Sequence, residues 1–199
     1  MKKLILLIIL SGLWHNGHTQ THAGAGQYYY MGERQAFTFV PIVYLQTSRN
    51  WYVEGRYNYE ALKTMSVYAG RTFEKKSTFS YSASPVIGAV LGRFNGGSIG
   101  INAESDYRKC FFSSQLQYTF SIEDKRENFI YSWSDISYQA SGNIYAGFSV
   151  QQTNVYKEQC KLEKGIFVKA SFNKWTIPIY VFSPAAKERY FVLGLNCDW

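Results

Sequence analysis

Residues 112–122 read Phe112-Ser113-Ser114-Gln115-Leu116-Gln117-Tyr118-Thr119-Phe120-Ser121-Ile122. Phe112, Leu116, Tyr118, Phe120 and Ile122 oppose Ser113, Gln115, Gln117, Thr119 and Ser121. Successive side chains of an extended chain point to opposite faces of a sheet, so this period of two marks a strand with one apolar and one polar face. The same alternation recurs on both sides. In residues 51–60, Trp51, Val53, Tyr57 and Tyr59 oppose Tyr52, Glu54, Arg56, Asn58 and Glu60. Around residue 100, Ile99, Ile101, Ala103 and Tyr107 oppose Ser98, Asn102, Glu104 and Asp106.

Working outward gives twelve candidate strands: 25–31, 36–46, 50–60, 64–74, 78–92, 97–107, 110–122, 128–139, 143–154, 163–172, 175–182 and 189–198. Segments of about ten residues with alternating hydrophobicity, separated by turns, are the signature of a transmembrane β-barrel. No stretch after the N-terminus approaches the ~20 apolar residues of a spanning helix. The expected fold is therefore all-β, a closed antiparallel transmembrane barrel of about twelve strands, with ten the smaller alternative.

The connections sort as such a barrel requires, with short turns at one end and longer loops at the other. If the last strand runs inward, 183–188, 154–162 and 123–127 fall outside. The turns near Asn173, Ser141–Gly142, Lys109, Lys75–Lys76 and Ser48–Arg49 fall inside. Pro41, Pro85 and Pro178 lie within candidate strands, and bulges are the expected accommodation. In 128–139 the apolar phase passes from Phe129, Tyr131 and Trp133 to Ile136 and Tyr138, which predicts a bulge near Ser134–Asp135.

Composition agrees. The chain has 199 residues, 46% hydrophobic and 18% aromatic, yet its mean hydropathy is slightly negative. Apolar and polar residues are thus interleaved. At the N-terminus, Lys2 and Lys3 precede the apolar run Leu4–Leu13, too short to span a membrane as a helix. Residues 1–19 read as a secretory signal cleaved between Thr19 and Gln20, with Ala23-Gly24-Ala25 an alternative site. The barrel domain then covers 20–199. No cysteine follows the apolar run, so no lipoprotein anchor is expected. Aromatic residues are expected in two girdles, Trp51, Tyr107, Trp175 and Trp199 at inner strand ends and Phe94, Phe129, Phe182 and Tyr190 near outer ends.

The net charge of +7 raises the question of nucleic acid. Export and the scattering of basic residues over short turns argue against it, and an anionic lipid surface is the better partner. Cys110, Cys160 and Cys197 have no metal-ligand spacing and are expected to be free thiols. The three histidines are His15, His18 and His22. None falls in a candidate strand, which argues against the Ser–His and acid–His chemistry of hydrolytic barrels. No catalytic residue, metal site or cofactor is expected. The charged residues Glu54, Arg56, Glu60, Glu104, Asp106 and Lys169 sit on polar faces and are assigned to the lumen. Tyr52, Tyr68, Phe111, Tyr145, Phe167 and Tyr180 share those faces and would narrow it.

The C-terminus, Phe191-Val192-Leu193-Gly194-Leu195-Asn196-Cys197-Asp198-Trp199, puts Phe191, Leu193, Leu195, Cys197 and Trp199 on one face. It resembles the terminal strand signal of bacterial outer-membrane proteins, with Gly194, Cys197 and Trp199 at the signal positions and Val192 departing from the pattern. Residues 51–60 together with Tyr131-Ser132-Trp133-Ser134-Asp135-Ile136-Ser137-Tyr138 resemble small uncharacterised outer-membrane barrels of Bacteroidetes-type bacteria. That resemblance implies the barrel fold, the outer membrane as location, its lipid and the barrel-assembly machinery as partners, and no known activity. The functional expectation is a structural, ligand-binding or narrow-channel barrel. A porin-like diffusion channel for small solutes and a secreted soluble binding barrel are the alternatives.

Overall fold

The computed structural model describes residues 21–32, 36–155 and 160–199. The proposed signal segment 1–19 lies outside the described residues. The strands are β1 (His22–Gly32), β2 (Thr38–Gln46), β3 (Trp51–Tyr57), β4 (Thr64–Arg71), β5 (Phe73–Lys75), β6 (Phe79–Gly92) and β7 (Gly96–Tyr107). They continue with β8 (Cys110–Ser121), β9 (Phe129–Ser141), β10 (Ile144–Val155), β11 (Lys161–Phe172), β12 (Trp175–Phe182) and β13 (Tyr190–Asp198). No α-helix occurs among the described residues, and Lys125–Glu127 form one turn of 3-10 helix.

Every pairing is antiparallel, and each strand pairs with the next in sequence except β4, which pairs with β6 and not with β5. β1 pairs with β13, which closes the ring. β4 and β5 both pair with β6 in a single register, Gly70 opposite Val86 and Phe73 opposite Ala83. They are one wall strand, so the wall has twelve. Closure leaves no unpaired sheet edge facing lipid, where each unsatisfied backbone group would cost several kcal/mol.

The prolines explain the interruptions. Arg71 and Thr72 face Pro85 and Ser84 between the two paired segments, and Pro85 has no N–H to complete the ladder. The hydroxyls of Thr72 and Ser84 bridge the gap at 2.8 Å on the lumen side. Pro178 faces Gly194, and the β12–β13 ladder skips that position without changing register. A Cβ on Gly194 would lie 2.6 Å from the Pro178 ring, so glycine there is a packing requirement. Pro41 lies just beyond the last β2–β3 pair, Ile42 with Arg56. No bulge accommodates these prolines, contrary to expectation. The expected bulge at Ser134–Asp135 is also absent, since β8 and β9 keep one register throughout. The slip lies at Ala140, beside the β9–β10 turn. Phe129, Tyr131 and Trp133 do not change face; they are on the lumen side with Asp135.

The outward face is apolar. Val53, Met65, Val67, Ile87, Leu91, Ile99, Leu116, Ile136, Phe148, Ile166, Val168 and Ile179 are all exposed, Ile87 by 68%. A soluble barrel would bury such residues, so the secreted soluble alternative is overturned and the chain is a transmembrane barrel of the outer-membrane type. Two pairs of outward polar side chains satisfy each other: Ser114 and Ser134 bond at 2.8 Å, and Tyr29 donates to Gln27 at 2.9 Å. Trp51, Tyr107, Trp175 and Trp199 form an exposed aromatic belt at the end with the short turns. The matching outer girdle is a correction. Phe94, Phe182 and Tyr190 are buried inside the barrel, and Phe129 packs edge-on against Phe94 at 5.9 Å.

The start of β1, Trp199 and the two-residue turns at 108–109, 142–143 and 173–174 lie at one end, the turn end. Arg108, Gly142 and Asn173 adopt φ of 56°, 47° and 55°, as tight hairpins joining twisted strands require. Connections 58–63, 122–128 and 183–189 lie at the other, the loop end. In one of them Asp124 accepts bonds from the backbone and guanidinium of Arg126, which hold its carboxyl below the usual carboxylate range.

Candidate functional site: the barrel lumen

The lumen is shaped by one loop that turns inward. β3 leaves the wall after Tyr57. Asn58 and Lys63 both take left-handed φ, near 59°, and Asn58 organises the turn. Its backbone N–H donates to the Thr64 carbonyl at 2.9 Å, its side-chain oxygen accepts from the Lys63 N–H at 2.7 Å, and its amide nitrogen donates to the Phe39 carbonyl at 2.9 Å. This last bond continues the β2 ladder where β3 has departed. Tyr59 and Glu60 are thereby carried into the barrel.

Arg56 is the centre of what they meet. Its side chain is 1% exposed, and it pairs with Glu54 through Nε and with Glu60 through Nη1 at 3.6 Å. Its guanidinium lies over the rings of Tyr59 and Tyr68, 4.5 and 4.4 Å from their centroids. Gln117 accepts from Arg56 at 2.9 Å, and Gln115 lies between Arg56 and the Tyr59 hydroxyl. Glu60 also accepts from Ser66 and, at 2.7 Å, from Tyr68. Glu54 accepts from Tyr52. A buried charge needs a partner and satisfied hydrogen bonds. Here two carboxylates share one guanidinium, and hydroxyls and amides supply the rest.

The opposite wall is aromatic. Phe167, Tyr180, Phe182, Tyr190 and Val192 form a buried cluster, with Tyr28, Tyr30 and Trp133 packed against it. The rings of Tyr180, Phe182 and Tyr190 stack in sequence at 5.9 and 5.0 Å. Asp135 sits at its edge and accepts from Ser149 at 2.6 Å, Trp133 at 2.8 Å and Tyr180 at 2.9 Å.

These two layers divide the free space. A cavity of about 580 Å³ runs from a mouth at His22, Gln46, Glu74 and Lys76 to a floor at Arg56, Tyr59 and Trp133. A branch of about 300 Å³ holds Glu104, Asp106 and Lys169, whose ammonium lies 5.0 Å from the Tyr145 ring and 5.6 Å from that of Phe111. A third cavity, about 320 Å³, lies at the loop end and shares only Tyr59 with the first. Tyr59 therefore stands between the two vestibules.

The structure thus brings Glu54, Arg56 and Glu60 into one network, and sets Glu104, Asp106 and Lys169 nearer the turn end. Glu60 lies on the inward loop and not on a strand, and Tyr59 faces the lumen where the alternation placed it on the apolar face. Asp135, Gln117 and Trp133 were not singled out from sequence. The signal was present in the unbroken inward file Phe129, Tyr131, Trp133, Asp135, Ser137. His22 is a second correction: it opens β1, opposite Gln46, and belongs to the wall. Gly194, Cys197 and Trp199 lie on β13 and the residue after it. Gly194 faces inward against Pro178, whereas Cys197 and Trp199 face outward.

No family model and no curated relative matches the chain. Solved structures do. It is similar to the KdgM porin, with a TM-score of 0.61 and 10% identity over 87% of this chain and 98% of that one. The NanC porin in a rhombohedral crystal form gives 0.61 and 9%, over 87% and 97%. The KdgM porin in complex with disordered oligogalacturonate gives 0.59 and 13%, over 87% and 98%. The shared property is the fold, that of outer-membrane porins.

Proposed function

We propose that this barrel is a narrow channel for small polar solutes, limited by the layer of side chains that loop 58–63 carries into the lumen. The observation that carries this reading is the approach of two vestibules from opposite ends to the single residue Tyr59. Twelve strands lie between the eight of a barrel filled by side chains and the sixteen or more of an open aqueous pore. A partly filled lumen with a local constriction is what that number allows. The related folds are porins, which supports the same reading. At the constriction the charges are satisfied in place, Arg56 by two carboxylates and Asp135 by three neutral donors, so they serve as lining and not as reagents; we read the protein as a conduit and not an enzyme.

A barrel filled to closure is the second reading, favoured by the aromatic stack on β11–β13. In both, the exposed belt sits in outer-membrane lipid, and β13 is the segment presented to the assembly machinery. Liposome swelling decides between them. A narrow channel admits glycerol rapidly and sucrose slowly, whereas a filled barrel admits neither faster than protein-free liposomes do.

A further inference from the structure

The branch of the turn-end vestibule holds charges of both signs that do not meet. Lys169 is on β11, opposite Tyr145 of β10. Glu104 and Asp106 are two positions apart on β7, so they share its inward face, and Asp106 lies opposite Phe111 of β8. β8 and β10 lie between β7 and β11 in the wall, and the rings of Phe111 and Tyr145 meet edge to face at 5.1 Å. This aromatic pair stands between the lysine and the two acids. The Lys169 ammonium rests over both rings, 5.6 and 5.0 Å from their centroids. Among the described residues it has no ion pair and no hydrogen bond, and Glu104 and Asp106 accept none. Elsewhere in the lumen the charges are taken up, Arg56 by Glu54 and Glu60 and Asp135 by three donors. Here the lysine and the two acids border a cavity of about 300 Å³ instead, with the hydroxyls of Ser137 and Thr176 in its lining.

From this arrangement we infer that the branch binds a small zwitterion of the α-amino acid type, its carboxylate toward Lys169 and its ammonium toward Glu104 and Asp106. The volume is at the lower end of the range for ligand pockets, about 300–1,000 Å³. An ammonium has three N–H donors, which two carboxylates can share, and the Lys169 ammonium offers its own donors to the carboxylate of the ligand. Both contacts are charge-assisted, and partly enclosed charges are screened less than exposed ones. The alternatives fit less well. A simple anion would satisfy Lys169 but would lie beside Glu104, Asp106 and Asp135. A simple cation would satisfy the two acids but would lie beside Lys169 and leave its ammonium unmet. A neutral solute answers neither charge. The site is independent of conduction, because it needs only access from the turn end.

The test is a saturation-transfer NMR titration of the full barrel, in a detergent with an uncharged headgroup, with alanine, propionate and ethylamine as probes. The last two are alanine without its ammonium and alanine without its carboxylate. Alanine is expected to bind saturably, and each half-probe at least several-fold more weakly. Lys169→Met is expected to weaken alanine by about tenfold, the equivalent of one charge-assisted hydrogen bond, and to bring ethylamine level with it. Glu104→Gln with Asp106→Asn is expected to weaken alanine likewise and to bring propionate level with it. The two variants shift the preference in opposite senses, which a general folding defect does not do, and the second keeps the inference testable if Lys169→Met fails to fold by circular dichroism. Absence of saturable alanine binding, a half-probe that binds the native chain as tightly as alanine, or indifference to both variants overturns the site. Alanine binding without solute flux would leave the site standing and remove the channel; flux without alanine binding would do the reverse.

Discussion

The guanidinium of Arg56, on wall strand β3, lies 3.6 Å from the carboxylate of Glu60, on the loop that follows. They are only four positions apart in the chain, yet one belongs to the wall and the other to the lumen filling. The pair ties loop 58–63 inward, and Tyr59 comes with it.

Replacing Arg56 by Met is therefore expected to do two things. It leaves Glu54 and Glu60 buried without a counter-charge, which costs about 3–5 kcal/mol for an orphaned buried partner. It also releases the loop. Denaturant unfolding of the refolded barrel should show the loss of stability, and Glu54→Gln with Glu60→Gln in the same chain should restore most of it. Unchanged stability of the single variant would mean that Arg56 holds nothing in place.

The channel should prefer cations, although the whole chain carries +7. Glu54, Glu74, Glu104, Asp106, Asp135, Glu163 and Asp198 line the cavities, and Arg56, Lys76 and Lys169 oppose them. Much of the positive charge sits at the turn-end rim, in Arg49, Lys75, Arg108, Lys109 and Lys174. Rings of carboxylates favour cation passage. The reversal potential in a KCl gradient should have the cation sign and shrink in Glu104→Gln with Asp106→Asn. An anion sign would contradict the lumen assignment.

Strand spans were legible because the outward half of each strand meets lipid. Phe112, Leu116, Tyr118 and Phe120 must be apolar, and the lumen tolerates Ser113, Gln115, Gln117 and Thr119 between them. Where the lumen is itself aromatic, alternation loses direction. Phe129, Tyr131 and Trp133 point inward to the Asp135 cluster, as do Phe182 and Tyr190 to their stack, and this produced the misplaced bulge and the misplaced girdle. Loop 58–63 was invisible for a different reason. Tyr59 and Glu60 keep the parity of β3, so only the left-handed turn at Asn58 separates them from it.

Gly194→Val should impair folding. The new side chain would meet the Pro178 ring and Tyr28 at the gap in the β12–β13 ladder, where a Cβ alone comes within 2.6 Å of proline. Overpacking of this kind costs about 1–3 kcal/mol. A refolding yield equal to that of the native chain would show that the contact is slack.

Cysteine chemistry reports the orientation. Cys110 and Cys160 are free and exposed, one at the turn end and one at the loop end. An impermeant maleimide applied to intact cells should label Cys160 and spare Cys110, because long loops face outward. A non-reducing mass should show three thiols. Labelling of Cys110 alone would invert the topology.

Single-channel recording in planar bilayers tests the central claim most directly, with the native chain beside one in which Tyr59 and Glu60 are both replaced by Gly. The account predicts small, steady openings for the native barrel and a several-fold larger conductance for the variant, since the two vestibules then join. Equal conductance in both chains, or a large porin-like conductance in the native one, would contradict a lumen constricted by this loop.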